Sequence, residues 1–119
     1  MPASMPPNQC ESMSLLAVFT TTGSRAEAER LATALVEGHL VACAQISEIE
    51  SRYEWQGALQ LEREWRLLLK TTAARYAAVE AAIRALHSYE LPAIYALPVA
   101  QADAAYVAWV EKSCQPRAG

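Results

Sequence analysis

Apolar and polar positions along the chain recur with two different periods, and the change of period marks out the elements. Leu15-Leu16-Ala17-Val18-Phe19, followed by Thr20-Thr21-Thr22 and closed by Gly23, is an apolar, β-branched run that predicts a buried strand. Ser24 with Glu27 three residues on is the pattern of a capping box, in which two amides at a helix start are satisfied reciprocally. Ala28, Leu31, Ala32 and Leu35 then fall at i, i+3, i+4 and i+7, the apolar stripe of an amphipathic helix. Gly38 is expected to end it as the left-handed residue.

Val41 to Trp55 reads as a second strand. Val41, Cys43, Tyr53 and Trp55 share one parity and Ile46 has the other, which predicts a bulge or bend near Ser47–Glu50. Gly57 sits at a tight hairpin turn. Beyond it Leu59, Leu61, Trp65, Leu67 and Leu69 take odd positions against Gln60, Glu62, Glu64, Arg66 and Lys70, a period of two that only Arg63 interrupts. Leu61, Trp65, Leu68 and Thr72 also lie near a helical spacing, so pattern alone leaves strand and helix open here.

A second helix is expected over residues 74–87, with Tyr76, Val79, Ile83 and Leu86 on its stripe and Pro92 barring its continuation. Residues 93–99 read as a short strand, with Pro98 pointing to an edge or a strand end. Asp103 is a candidate cap for a last helix through Tyr106, Trp109 and Val110, and the polar tail after Cys114 is expected to fray. The order is β-α-β-β-α-β plus a terminal helix, the split-βαβ, ferredoxin-like arrangement of an α+β domain. Such a sheet has two open edges, and a long exposed hairpin invites pairing with another chain.

Composition narrows the class. A chain of 119 residues is one domain, and 53% hydrophobic against 19% charged residues describes a globular protein. No apolar run approaches the roughly 20 residues of a membrane span. A net charge of −3 offers no basic stripe for phosphates, so neither nucleic acid nor a membrane is an expected partner. Residues 1–13 carry three prolines and neither a basic start nor an apolar block, so they read as a disordered leader ahead of a domain over 14–114. Cys10, Cys43 and Cys114 form no CxxC, and an odd cysteine stays unpaired in any disulfide scheme. That favours a reducing compartment, and the cytoplasm is the expected location.

Three signatures stand in a fixed order: Tyr53-Glu54-Trp55-Gln56-Gly57, Lys70-Thr71-Thr72, and His87-Ser88-Tyr89-Glu90-Leu91-Pro92 running into Leu97-Pro98-Val99. Over roughly Leu15 to Ser113 they resemble the CutA family, named for divalent-cation tolerance. The resemblance implies a small trimeric protein of ferredoxin-like fold, related in topology to the P-II nitrogen regulators, with a hairpin reaching beyond the compact sheet. That decides for a strand after Gly57. Family members usually read His-Pro-Tyr-x-x-Pro-Glu where this chain has Ser88 for the first proline and Ala93 for the glutamate. Members proposed to bind copper carry a cysteine at the position of Thr20 and a histidine pair at Leu86-His87.

Soft-metal sites need several convergent ligands, and no spacing here places two strong ones on one face. His87 is the metal candidate on which the resemblance falls, with Cys43 second. Cys43, among Val41, Ala42 and Ala44, reads equally as a small buried core residue. His39 reads as a solvated cation at a helix end. Tyr53, Trp55 and Gly57 lie too far along the hairpin for one subunit to bury and are expected at a trimer interface. Lys70, Tyr89 and Glu90 are candidates to converge at an inter-subunit cleft, although Lys70 could equally pair with Glu62 or Glu64.

The chain has no Ser-His-acid signature, Gly-rich phosphate loop or carboxylate pair beside a histidine. The expected activity is therefore non-enzymatic: a homotrimer associated with divalent metal ions, copper among them, with any copper weakly bound. Two alternatives are a P-II-like sensor of a small anionic metabolite and an enzyme with an inter-subunit active site.

Overall fold

The computed structural model describes residues 15–116; the leader and Cys10 lie outside them. The elements are β1 (Leu15–Thr22), α1 (Arg25–Glu37), β2 (Cys43–Trp55), β3 (Ala58–Thr72), a 3₁₀ turn (Ala73–Arg75), α2 (Tyr76–Leu86), β4 (Ile94–Pro98) and α3 (Ala104–Ser113). The sheet order is β2-β3-β1-β4, antiparallel throughout. This is the expected α+β, ferredoxin-like topology. β4 is an edge strand, which accommodates Pro98 because an edge can spare a ladder amide.

Antiparallel partners share a face, so the register fixes which side chains meet the helices. Even positions of β1 and odd positions of β3 form the covered face. Val18, Leu67 and Leu69 are fully buried there with Leu31 and Leu35 of α1 and Val79 and Ile83 of α2. The opposite face carries Phe19 stacked on Tyr95 with ring centroids 5.2 Å apart, and Leu97 beside them stays 53% exposed. A second small cluster joins Leu15 to Val107, Val110 and Cys114 of α3.

The β2–β3 ladder runs without a slip from Cys43↔Lys70 to Trp55↔Ala58, so the expected bulge near Ser47–Glu50 does not form. The change of parity has another cause. Ala44 and Ile46 pack under the helices, whereas Tyr53 and Trp55 lie past the end of the helical layer and turn to the other face. Gln56 and Gly57 close the hairpin with φ of 53° and 81°, a two-residue turn whose positive angles glycine adopts freely. At about 3.4 Å per residue the 15-residue β3 spans about 50 Å, close to the 53 Å long axis of the molecule.

Four local expectations are corrected. Gly38 has φ −81°, and the left-handed residue is His39 at φ 60°. The amides of His39 and Leu40 bond the carbonyls of Val36 and Leu35 in a Schellman arrangement. Ser24 caps α1 by accepting from the Glu27 amide, but the Glu27 carboxylate turns away to another partner. On α2, Leu86 is exposed, and the stripe is Val79 and Ile83 with part-buried Tyr76 packed beside them. On α3, capped by Asp103, the buried residues are Val107 and Val110, while Tyr106 and Trp109 stack on each other outside.

Candidate functional site

The turn after α2 is pinned to α1 and β1 by a part-buried cluster. The Ser88 amide and hydroxyl donate to the two Glu27 oxygens at 2.8 and 2.9 Å. His87 Nε2 lies 2.7 Å from the Thr21 carbonyl, and the Tyr89 amide lies 3.0 Å from Nδ1. A carbonyl only accepts and an amide only donates, which defines the neutral ring with its hydrogen on Nε2. The His87 side chain is wholly buried. Its two nitrogens hold the turn that aims Tyr89 forward.

Tyr89 lies over Gly23, where an added Cβ would come within 3.1 Å of the phenol oxygen, and donates to Glu64 Oε2 at 2.8 Å. Across the hairpin, Tyr53 donates to Glu62 Oε1 at 2.5 Å. Between the hairpin and the 88–93 turn lies a cleft of about 840 Å³. Its aromatic wall is Tyr53, Trp55 and Tyr89; its carboxylates are Glu62, Glu64 and Glu90. Arg63 also borders it but is paired with Glu48 at 3.0 Å. Glu64 is only 6% exposed and accepts a hydrogen bond from the Tyr89 phenol.

These carboxylates set the tyrosines' behaviour. The hydrogen bond to Glu62, then desolvation and repulsion, pushes the Tyr53 phenol up to about 12. Burial first, and then the bond to Glu64, drives Tyr89 well above the ordinary phenol range. Both phenols are held as donors toward carboxylates.

The sequence profile of the CutA1 divalent ion tolerance protein matches residues 16–113. The chain is 37% identical over 97 residues to the divalent-cation tolerance protein CutA of Thermus thermophilus, covering 81% of this chain and 94% of that protein. It is 32% identical over 98 residues to the corresponding protein of Archaeoglobus fulgidus, covering 82% and 96%. The solved structure of CutA from Synechococcus elongatus superposes with a TM-score of 0.84 at 35% identity, over 88% of this chain and 94% of that one. The chain belongs to the CutA1 family.

Against the pattern of that family, Ser88 takes on physical meaning. A proline has neither amide hydrogen nor hydroxyl, so it could make neither bond to Glu27; the amide bond needs only a residue other than proline, and the hydroxyl bond comes from serine. Thr20, at the position where some CutA proteins carry cysteine, is fully buried, and its hydroxyl has no partner among the described residues. Ala93 lines the cleft where the family has a carboxylate.

The residues singled out in the sequence do not all meet. Tyr89 and Glu90 line the cleft; Lys70 does not, because six residues of strand, about 20 Å, separate it from Glu64. Its ammonium donates to Gln45 instead, at 3.1 Å. Tyr53 and Trp55 also line the cleft, at 38% and 41% exposure, while Gly57 serves only the turn. Half-buried Cys43 pairs across from Lys70, itself opposite Ala17. His87 bonds at Thr21, four residues or about 13 Å further along β1.

His87 and Cys43 therefore do not converge, and the ring has no nitrogen to spare without breaking a backbone bond. Among the described residues no group of three or more His, Cys, Asp or Glu is placed to hold a metal ion. The donors present do not fit a copper centre. In the sequence Glu62 and Glu64 stand out only as partners for Lys70. Their i, i+2 spacing beside Tyr53 on a strand was the available signal for a shared face. Cys114 belongs to the folded core: it caps α3, is 2% exposed and touches the Thr71 hydroxyl at 3.6 Å. Burial pushes its thiol up, which makes it inert.

Proposed function

We propose that this CutA-family protein works without catalysis, as a homotrimer in the cytoplasm, in the response to divalent metal ions. The observation that carries the assembly is the apolar surface one subunit leaves open. Leu59 and Leu61 on the hairpin are 66% and 63% exposed, and Tyr95 and Leu97 on the open sheet face are 50% and 53%. Surface of this kind, beside two sheet edges, is what copies of a chain cover in an oligomer. Family membership supports the metal association. The location rests on the free thiols of Cys43 and Cys114; the relative from Archaeoglobus fulgidus is described as periplasmic, so fractionation of cells is the direct check.

Copper binding in this reading is weak. His87 gains a metal bond only by giving up Thr21 or Tyr89, and the cleft carboxylates favour hard cations over copper. Calorimetry with Cu(II) and Zn(II) at neutral pH tests it. Weak, unselective heats are expected; a stoichiometric, tight and copper-selective site would overturn the assignment. The cleft also bears on the sensor alternative, because a lining rich in glutamate has the wrong sign for an anionic metabolite.

A further inference from the structure

β1 pairs with β3 only as far as Thr22 opposite Trp65. Beyond that point residues 49–64 pair with one another, from Ile49↔Glu64 to Trp55↔Ala58, as a two-stranded ribbon. Such a ribbon is marginally stable on its own. Among the described residues, its side-chain hydrogen bonds and ion pairs stay within β2 and β3, with one exception. The exception is the Tyr89 phenol, which donates to Glu64 Oε2 at 2.8 Å.

That bond sits at the root of the ribbon, where β1 stops. Tyr89 lies over Gly23, the residue after β1, and the missing Cβ there leaves room for the phenol oxygen. The base of Tyr89 is held from two sides: His87 joins its amide to the Thr21 carbonyl of β1, and Ser88 is tied to Glu27 of α1. Glu64 is nearly closed to solvent, and a hydrogen bond to a carboxylate is the stronger kind. Further out, Leu59 and Leu61 stand exposed for another copy to cover. A ribbon already fixed at one angle loses less freedom when that copy arrives.

We infer that Tyr89 is a positioning residue for assembly: its bond to Glu64 latches the hairpin at its root and sets the angle at which the hairpin meets a second copy of the chain. The copy contact rests on the homotrimer proposed above, whereas the latch is a property of the subunit.

The test pairs amide hydrogen exchange with native mass spectrometry on dilution, using the full chain and three variants. Tyr89→Phe keeps the ring over Gly23 and removes only the bond. It should speed exchange in residues 49–64 by roughly tenfold and leave the core strand amides of Val18, Leu67 and Leu69 unchanged. The concentration at which half the assembly dissociates should rise by a similar factor, roughly tenfold. Glu64→Ala should match it, and the double variant should add nothing further, because the two side chains form one bond. Glu64→Gln, which keeps an acceptor for the phenol, should recover part of the protection. Unchanged exchange in Tyr89→Phe, additive losses in the double variant, or faster exchange spread equally through the core each overturns the inference. Faster hairpin exchange with unchanged dissociation would also overturn it, since the latch would then not serve assembly. A monomeric parent would contradict the homotrimer instead, and faster hairpin exchange in monomeric Tyr89→Phe would still uphold the latch.

Discussion

The two halves of β3 are one strand with one alternation, yet they do different work. In residues 65–71 the odd positions lie beneath α1 and α2, and Leu67, Leu69 and Thr71 have no exposure at all. In residues 59–64 the helical layer is gone. Leu59 and Leu61 keep the same parity and stand in solvent, while the opposite parity builds the cleft around Glu62 and Glu64. The alternation that makes a strand does not say what covers it. Burial of the first half comes from the chain's own helices, and burial of the second is left to something else.

The sharpest way to break that contrast is to cut both halves alike. Leu67→Ala should cost about 2–5 kcal/mol in denaturant unfolding, as expected for a cavity in a close-packed core. Leu61→Ala should leave the unfolding of the isolated subunit within about 0.5 kcal/mol and instead weaken assembly. Equal losses of subunit stability from the two would erase the distinction.

Next in size is the clamp that sets the cleft's far wall. Glu27→Ala strands the Ser88 amide and hydroxyl and should cost about 2–3 kcal/mol, since hydrogen bonds to a charged group are the stronger kind. Ser88→Ala keeps the amide bond and should cost about half as much. A Glu27→Ala protein as stable as the parent would mean that the clamp contributes nothing.

A smaller effect, of opposite sign, is expected inside the core. Thr20 buries a hydroxyl without a partner, and Thr20→Val replaces it with a methyl of similar shape. The variant should gain about 1 kcal/mol, read as a rise in melting temperature. A loss would reveal a bond to the hydroxyl beyond the described residues.

The cleft half sharpens by its pH response. The folded Tyr53 phenol sits at about 12 against an ordinary 10.0, so its contribution is present below pH 10 and fades as pH rises through 12. Tyr89 shifts the same way. Ultraviolet titration of the native protein should show these phenols ionising late, and Tyr53→Phe should remove one of them. An unchanged late fraction in Tyr53→Phe would contradict the bond to Glu62.

How far the sequence could be read follows the same divide. β1, α1 and the hairpin were legible because their signals are local: a period, a cap, a turn. α3 misled because Tyr106 and Trp109 look apolar, while the stripe that packs is Val107, Val110 and Cys114. The missing bulge shows the same limit, since parity along β2 reports which neighbour covers each half. The cleft and its clamp were hidden by distance along the chain. Tyr89 meets Glu64 across 25 residues and Ser88 meets Glu27 across 61. His87 was conspicuous as a residue type, but only the backbone groups folded against it show that both its nitrogens are spent.

The central claim is that the distal hairpin and the open sheet face are covered by copies of the same chain. Native mass spectrometry at micromolar concentration measures this directly. The account predicts a species at three times the 13.0 kDa subunit mass, dissociating more readily in Trp55→Ala and Leu61→Ala. A parent protein that stays at 13.0 kDa under those conditions would contradict it.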